Sequence, residues 1–228
     1  LYHEKLEKIA WEKVNESVNA KVEFAHLHAS IWTNFPDLTV VMQQTSIVPN
    51  IPSMDTLLKA EEVALSMDTW DFVTEGHIGI KSVHVKNPKV SAHIFKNGSN
   101  NFSILKIDTV QTGGGSADSS FSMHVNEIEI ENGFVTWIDE RTRTHFSTAD
   151  VNFNGKGEFS ENNSDVIAEA TAKDVSLRYQ DNRYFSDKDI SLSLVLNVDL
   201  AHKQLAIKQT KGMKNVFFFN FNGVLSLN

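Results

Sequence analysis

Apolar residues return along this chain with one recurrent spacing: apolar, x, apolar, x, x, apolar, x, apolar. The two clearest copies lie 45 residues apart and consist of Ile78, Ile80, Val83 and Val85, and of Met123, Val125, Ile128 and Ile130. Strict alternation is typical of a β-strand with one apolar face, and a slip of one residue turns the following side chains to the other face. A β-bulge adds one residue and restores the face, so the two-residue step predicts a bulge that bends each strand.

Three weaker copies extend the pattern to other parts of the chain. They comprise Leu58, Ala60, Val63 and Leu65; Ala170, Ala172, Val175 and Leu177; and Val40, Met42, Thr45 and Ile47. Several bent strands with apolar residues on one face predict a curved sheet. The concave side of such a sheet is either buried by other parts of the protein or open to a ligand.

The N-terminal segment, residues 1–20, has a different periodicity, which predicts one helix. Its apolar residues recur at spacings of three and four, as in an amphipathic helix. They are Leu6, Ile9, Ala10, Val14 and Val18. The predicted fold is therefore mainly β with a minor α+β contribution. An N-terminal amphipathic helix packs on a curved antiparallel sheet of repeated, bulged strands, which forms an open β-groove.

The strands are predicted to follow one another in a single elongated β-groove that covers residues 1–228. Residues 112–120 include three consecutive glycines, and such a composition is typical of a flexible loop. This loop separates the two clearest repeats. The segments after the helix are the first strands (21–75), the two repeats (76–111 and 121–159) and further strands (165–228).

Composition places the chain among ordered globular proteins and excludes several partners. Of its 228 residues, 41% are hydrophobic and 22% are charged, and the formal net charge is −8. A nucleic-acid partner requires a basic stripe, so nucleic-acid binding is not expected. The same charge disfavours docking on an anionic membrane surface. The chain has no cysteine, which excludes disulfides, thiolate metal sites and a cysteine nucleophile.

Hydropathy predicts no membrane span, because no apolar run approaches the roughly 20 residues that a spanning helix needs. The sequence begins at Leu1 rather than at methionine. We therefore interpret the chain as an excised fragment, which leaves open both a signal or anchor segment upstream and further sheet downstream.

Several segments together resemble a known family. The predicted helix leads into Val22-Glu23-Phe24, and this start resembles that of the periplasmic part of AsmA-like proteins. The likeness covers most of residues 1–195. Its other segments are residues 35–40; residues 57–67 followed by Trp70; residues 80–90 followed by 101–105; and residues 137–142 with Phe146-Ser147 and Asp150-Val151.

The resemblance implies a periplasmic protein that is anchored to the inner membrane through a helix missing from this chain, before Leu1. It also implies an elongated β-groove that takes part in outer-membrane biogenesis and phospholipid transport between membranes. Phospholipid is then the expected partner, and the sequence identifies no protein partner. The alternative is a structural or adhesion-like β-sandwich that binds a protein or a glycan.

The recurrent apolar residues are the candidate site under the AsmA-like interpretation. They would line a trough for acyl chains without taking part in any reaction, so we expect a non-enzymatic protein with no cofactor. The competing interpretation is that the same residues form an ordinary sheet core under the helix. The candidates for the lipid groove are Ile78, Ile80, Val83, Val85, Met123, Val125, Ile128 and Ile130.

Other residue groups favour ordinary structural roles over chemistry. His26 and His28 share one strand face, but no third metal ligand lies near them in the sequence. Glu127, Glu129 and Glu131 alternate with the apolar residues Ile128 and Ile130, so we expect them on a solvated outer face rather than in a calcium or acid–base site. We assign no metal ligands and no catalytic residues, since no nucleophile motif is present.

Overall fold

The structure, a computed structural model, describes residues 19–50, 56–69, 80–104, 125–159, 164–199, 204–214, 217–220 and 223–226. The elements defined in these ranges are thirteen strands of one sheet. They are β1 (Ala20–Glu23), β2 (His26–Asn34), β3 (Asp37–Pro49), β4 (Leu58–Met67), β5 (Ile80–Lys86), β6 (Lys89–Ile94), β7 (Val125–Asp139), β8 (Thr144–Phe159), β9 (Ser164–Tyr179), β10 (Asn182–Asp199), β11 (Gln204–Lys214), β12 (Phe217–Asn220) and β13 (Gly223–Ser226).

The sheet follows the order β1-β3-β4-β5-β7-β8-β9-β10-β11-β12. Three strands lie off this path: β2 also pairs with β3, β6 pairs with β4 and β7, and β13 pairs with β11. The successive strands β1 and β2, β5 and β6, and β12 and β13 thus act as three long strands, each with one interruption. The mainly β, curved sheet that the repeated strands predict is confirmed.

The prediction of a wholly antiparallel sheet is wrong, because β5 and β6 run parallel to β7. Val83 pairs with Ile128 and Val85 with Ile130, so the register equals the 45-residue separation of the two sequence copies. A parallel pair needs a crossover rather than a hairpin, and the chain between β6 and β7 is long enough for one. The sheet is therefore mixed.

The predicted helix is not supported by the described residues. Ala20 begins β1, which pairs antiparallel with β3 from Ala20 opposite Pro49 to Glu23 opposite Ser46. Ala20 and Val22 are buried while Lys21 and Glu23 are exposed, and this alternation stabilises a strand rather than a helix end. Residues 1–18, with the helical periodicity, and the predicted loop at 112–120 lie outside the described residues.

A line of left-handed backbone conformations crosses the sheet and bends its strands. Each of these residues has φ between 46° and 53°, a region in which Asn and Asp are the best tolerated residues after Gly. Five of the six are Asn or Asp. Gln44 and Asp174 fall at the two-residue step of a predicted copy, whereas the steps of the two clearest copies, at residues 81–82 and 126–127, contain no left-handed residue. The six residues are Gln44, Asn87, Asn132, Asp150, Asp174 and Asp187.

The bends lie beside one another on neighbouring strands. Asn87 and Asn132 occupy equivalent positions of the parallel pair, and the N–H of Asn87 donates to the carbonyl of Glu131. Lys173 next to Asp174 forms a 2.9 Å salt bridge with Asp150 on β8. Because the bends are aligned, one face of the sheet stays apolar on both sides of them.

The packed hydrophobic clusters of the described residues are formed by β2, β3 and β4. Two clusters of buried side chains lie there, and partly buried Leu27 packs against both. Burial of apolar surface contributes roughly 25 cal/mol per Å², so this end carries much of the stability. The first cluster contains Ala29, Leu38, Val40 and Met67, and the second contains Met42, Ala60 and Val63.

The hairpin between β7 and β8 is closed by Asp139. Burial alone would raise the pKa of this carboxyl, but hydrogen bonds from the Arg141 side chain and from the backbone N–H groups of Arg141 and Thr142 hold its pKa below the usual 3.8. The shortest is the 2.8 Å bond from the Arg141 N–H. A lowered pKa in the folded state means that the carboxylate stabilises the fold above the unfolded pKa and loses this effect as the pH falls through the folded value.

We therefore expect Asp139→Asn to lower the free energy of unfolding by about 1–2 kcal/mol at pH 7. The difference from the unsubstituted protein should shrink as the pH falls from 3.8 through the lower pKa of Asp139 in the folded state, because protonation removes the carboxylate over this range. Urea titrations at pH 7 and at pH 3 measure both values. Asp181→Asn is the control, because Asp181 lies in the hairpin between β9 and β10 with 88% of its side chain exposed. An equal loss of unfolding free energy for Asp139→Asn and Asp181→Asn at pH 7 would contradict the role assigned to the hydrogen bonds of Asp139.

Candidate functional site

Two rows of apolar residues cross seven neighbouring strands, from β3 to β10, on one face of the sheet. We call this the apolar face. With neighbouring strands about 4.8 Å apart, six steps give each row a length of roughly 29 Å. The first row is Met42, Val63, Val85, Ile130, Phe153, Ala170 and Leu192. The second row is Val40, Leu65, Val83, Ile128, Gly155, Ala168 and Leu194.

The burial of the side chains in the first row decreases from its β3 end to its β10 end. At β3 and β4, Met42 and Val63 are 4% and 8% exposed. From β5 to β10, the side chains of the same row are all partly exposed. The first row is thus closed at its β3 end and partly accessible further along the sheet, whereas the second row is buried again at Gly155 and at Ala168, which is 1% exposed.

The structure brings four of the predicted groove residues together. Val83 and Val85 on β5 lie directly beside Ile128 and Ile130 on β7, and all four are partly exposed. This contact follows from the parallel register, which places equivalent residues of the two repeats side by side.

The other four predicted groove residues are placed differently. Ile80 is partly exposed and pairs with Met67, beside a register shift in β5. Val125 is 0% exposed, so its side chain is not accessible at the surface. Ile78 and Met123 lie outside the described residues.

Further residues of the apolar face are not among the predicted groove residues. Phe153, Ala170 and Leu192 continue the first row on β8, β9 and β10. Trp137 on β7 lies on the same face beyond the bend, with its ring centroid 5.2 Å from that of Phe102. Their alternation is visible in the sequence, but only strand order shows that they extend one surface.

The described strands place no second sheet on the apolar face, because all thirteen belong to a single sheet. A β-sandwich, the fold expected under the alternative function, needs a facing sheet about 10 Å away. The arrangement of the described residues is therefore that of one curved sheet with a partly accessible apolar side.

The opposite side, which we call the polar face, carries Glu127, Glu129 and Glu131, as their alternation with Ile128 and Ile130 predicts. A hydrogen bond from Lys156 is the main cause that holds the pKa of Glu127 below its usual value, and Asn154 adds a second hydrogen bond. Lys156 lies 3.1 Å from the Glu127 carboxylate. Glu129 and Glu131 instead lie near His84 of β5.

A depression of about 530 Å³ extends from β7 to β10 beside these carboxylates. Glu129, Asn154, Glu169 and Ser193 form one row of its lining. These residues alternate with Ile130, Phe153, Ala170 and Leu192 of the first apolar row, which also line the depression. It offers carboxylate, amide and hydroxyl groups to a ligand.

The histidine pair predicted to be an ordinary surface feature lies on β2, where His26 and His28 are both exposed. Within the described ranges, neither belongs to a group of three ligand residues close enough to hold one metal ion.

Comparison with protein-family models, with curated proteins and with solved structures finds no match for this chain. Within the part of the chain that the structure describes, no helix has the length and apolar character needed to span a bilayer.

Proposed function

We propose that this chain is a non-enzymatic periplasmic segment of an AsmA-like protein, which holds phospholipid acyl chains on its apolar face. In the full-length protein it is anchored to the inner membrane and takes part in lipid transport between membranes and in outer-membrane biogenesis. The single observation that supports this proposal is the pair of apolar rows that cross seven strands with no second sheet on them among the described residues.

The length and the energetics of the rows suit an acyl chain. One leaflet of a bilayer is half of a hydrocarbon core about 30 Å thick, so a tail fits within a row of roughly 29 Å. Each buried CH₂ group contributes about 0.8 kcal/mol, and ten of them contribute about 8 kcal/mol. Loss of freedom on association costs about 4–15 kcal/mol. Binding is therefore weak and reversible, as a lipid that moves along a groove requires.

Accessibility of the apolar face is testable with single cysteines, because the chain has none of its own. Ile130→Cys and Leu192→Cys place a thiol on the apolar face, and Ser193→Cys places one on the polar face next to Leu192. Alkylation by a maleimide is measured with and without vesicles of phosphatidylethanolamine and phosphatidylglycerol. We expect lipid to slow labelling several-fold at positions 130 and 192 and to leave position 193 unchanged. Equal rates at all three positions would oppose the proposal.

Charged substitutions distinguish an open face from an ordinary core. We expect Val83→Asp and Ile128→Asp to reduce binding of a fluorescent fatty acid by more than about 10-fold, because a charge in the row removes the benefit of burying CH₂ groups. Asn126→Asp adds the same charge at an exposed position of β7 and should leave binding intact. Circular dichroism reports the fold of each variant.

Native mass spectrometry of the purified chain provides an independent measurement, because a bound phospholipid adds its own mass to the protein. We expect a fraction of the chain to carry phospholipid. If no lipid is found and both aspartate variants at positions 83 and 128 unfold, these residues form a core, and the proposal fails.

A further inference from the structure

His84, Glu129 and Glu131 meet on the polar face, where β5 pairs with β7. His84 lies directly opposite Glu129 in the parallel register. Its Nε2 atom is 3.9 Å from an oxygen of Glu129 and 3.3 Å from an oxygen of Glu131. One ligand atom from each of the three residues lies within 4.8 Å of the other two.

The imidazole of His84 is unusual in that its Nε2 is shielded from solvent and has no hydrogen-bond partner. A buried polar atom without a partner costs free energy, so each such atom in a folded protein requires an explanation. The 3.3 Å approach to Glu131 brings the groups close without the geometry of a hydrogen bond. A ligand between the three side chains would satisfy this atom.

The neighbouring cations are already engaged elsewhere. Lys86 forms a 3.0 Å salt bridge with Glu62, and Lys156 forms a 3.1 Å salt bridge with Glu127. Within the described ranges, Glu129 and Glu131 form ion pairs only with His84. Two carboxylates therefore face one imidazole nitrogen with no lysine or arginine between them.

We propose that His84, Glu129 and Glu131 bind a divalent transition-metal ion, with Zn²⁺ as the best fit. Imidazole nitrogen and carboxylate oxygen bind Zn²⁺ at about 2.0–2.2 Å, so ligands of a tetrahedral ion lie roughly 3.3–3.5 Å apart. The Nε2 to Glu131 distance already has this value. Glu129 reaches it by a movement of about half an ångström, which suits a side chain that is 42% exposed.

Two consequences follow for the ion and for the sheet. Three protein ligands leave the fourth position of a tetrahedral Zn²⁺ open to water or to another ligand. Glu129 and Glu131 also line the 530 Å³ depression, so the proposed ion site lies at the edge of this depression. The ion would also link β5 to β7, which no hairpin connects.

Isothermal titration of the chelator-treated full chain with ZnCl₂ tests the site. We expect one equivalent to bind more tightly than about 10 µM. His84→Ala, Glu129→Gln and Glu131→Gln should each weaken that equivalent by more than about 10-fold. The intense visible absorption of tetrahedral Co²⁺ provides a second readout and should disappear in the same three variants.

Two matched variants control for changes in charge and in histidine number. Glu127→Gln removes the neighbouring carboxylate that Lys156 already neutralises, and His26→Ala removes an exposed histidine of β2. Both should keep the Zn²⁺ equivalent and the Co²⁺ spectrum. Circular dichroism reports whether each variant is folded. If His84→Ala does not fold, Glu129→Gln and Glu131→Gln decide the result. The proposal fails if the chain binds no Zn²⁺ in this range, or if binding survives in the ligand variants.

Discussion

Replacing Val125 with aspartate is expected to remove most of the stability of the fold. Val125 begins β7 in the described structure and is 0% exposed. A carboxylate at this position would be buried, and an uncompensated buried charge costs about 3–5 kcal/mol. Native domains have a total stability of about 5–15 kcal/mol. Urea denaturation of the variant should therefore show a much lower midpoint or no folded baseline.

The adjacent residue provides the matched control for this substitution. Asn126 lies on the same strand but is exposed, and Asn126→Asp introduces the same charge one residue further along. Surface substitutions of this kind usually change stability by less than about 0.5 kcal/mol. If the two aspartates had the same effect, Val125 would not be part of the core.

The second large loss of stability is expected for Asn101→Ala. The Asn101 side chain forms hydrogen bonds with backbone groups at an edge of β6 that no described strand covers. Beyond Ser91, the side of β6 that faces away from β7 has no partner strand among the described residues. The Asn101 side chain takes this place: its oxygen accepts from the His93 N–H at 2.8 Å, and its amide donates to the Ser91 carbonyl at 2.7 Å. The residue is 0% exposed.

Alanine would leave both backbone groups without partners and would open a small cavity. At about 1–3 kcal/mol for each of the two unsatisfied buried groups, we expect a loss of about 2–6 kcal/mol in the free energy of unfolding. Hydrogen exchange should also become faster at the amide of His93. Asn126→Ala, at an exposed position, should change neither quantity. Unchanged exchange at His93 would show that the Asn101 side chain does not protect this amide.

The strands and two of their bends follow from local chemistry, so the sequence predicts them well. The step from Met42 to Thr45 coincides with the left-handed Gln44, and the step from Ala172 to Val175 coincides with Asp174. Alternation and the tolerance of Asn and Asp for positive φ are properties of a few adjacent residues. Residues 58–67 have a composition that suits a helix, yet they form β4, because pairing with β3 and β5 outweighs local propensity.

The parallel pairing depends on the path of the chain and is not visible in any single segment. The 45-residue separation was evident in the sequence, but a repeat does not show whether its copies are neighbours in the sheet. The crossover between β6 and β7 decides the direction, and no periodicity within either strand reports it. The expectation of a fully antiparallel sheet failed for this reason.

The dependence on strand order also explains why the sequence did not identify His84 as part of the candidate metal site. Glu129 and Glu131 were recognised as an acidic face, but His84 lies 45 residues earlier and joins them only through the parallel register. Val83, Val85, Ile128 and Ile130 were found as groove candidates because each copy is apolar by itself. Groups that require two strands to meet become visible only when the strand order is known.

The in-register parallel pair also sets the order in which this protein can fold. The hairpins β7 to β8 and β9 to β10 close turns of a few residues, whereas each contact between β5 and β7 joins residues 45 apart in the chain. Closing a longer loop costs more chain entropy, by about 0.6 kcal/mol for each doubling of its length. We therefore expect the two halves of the sheet to form first and their junction at β5 and β7 to be the slow step of assembly.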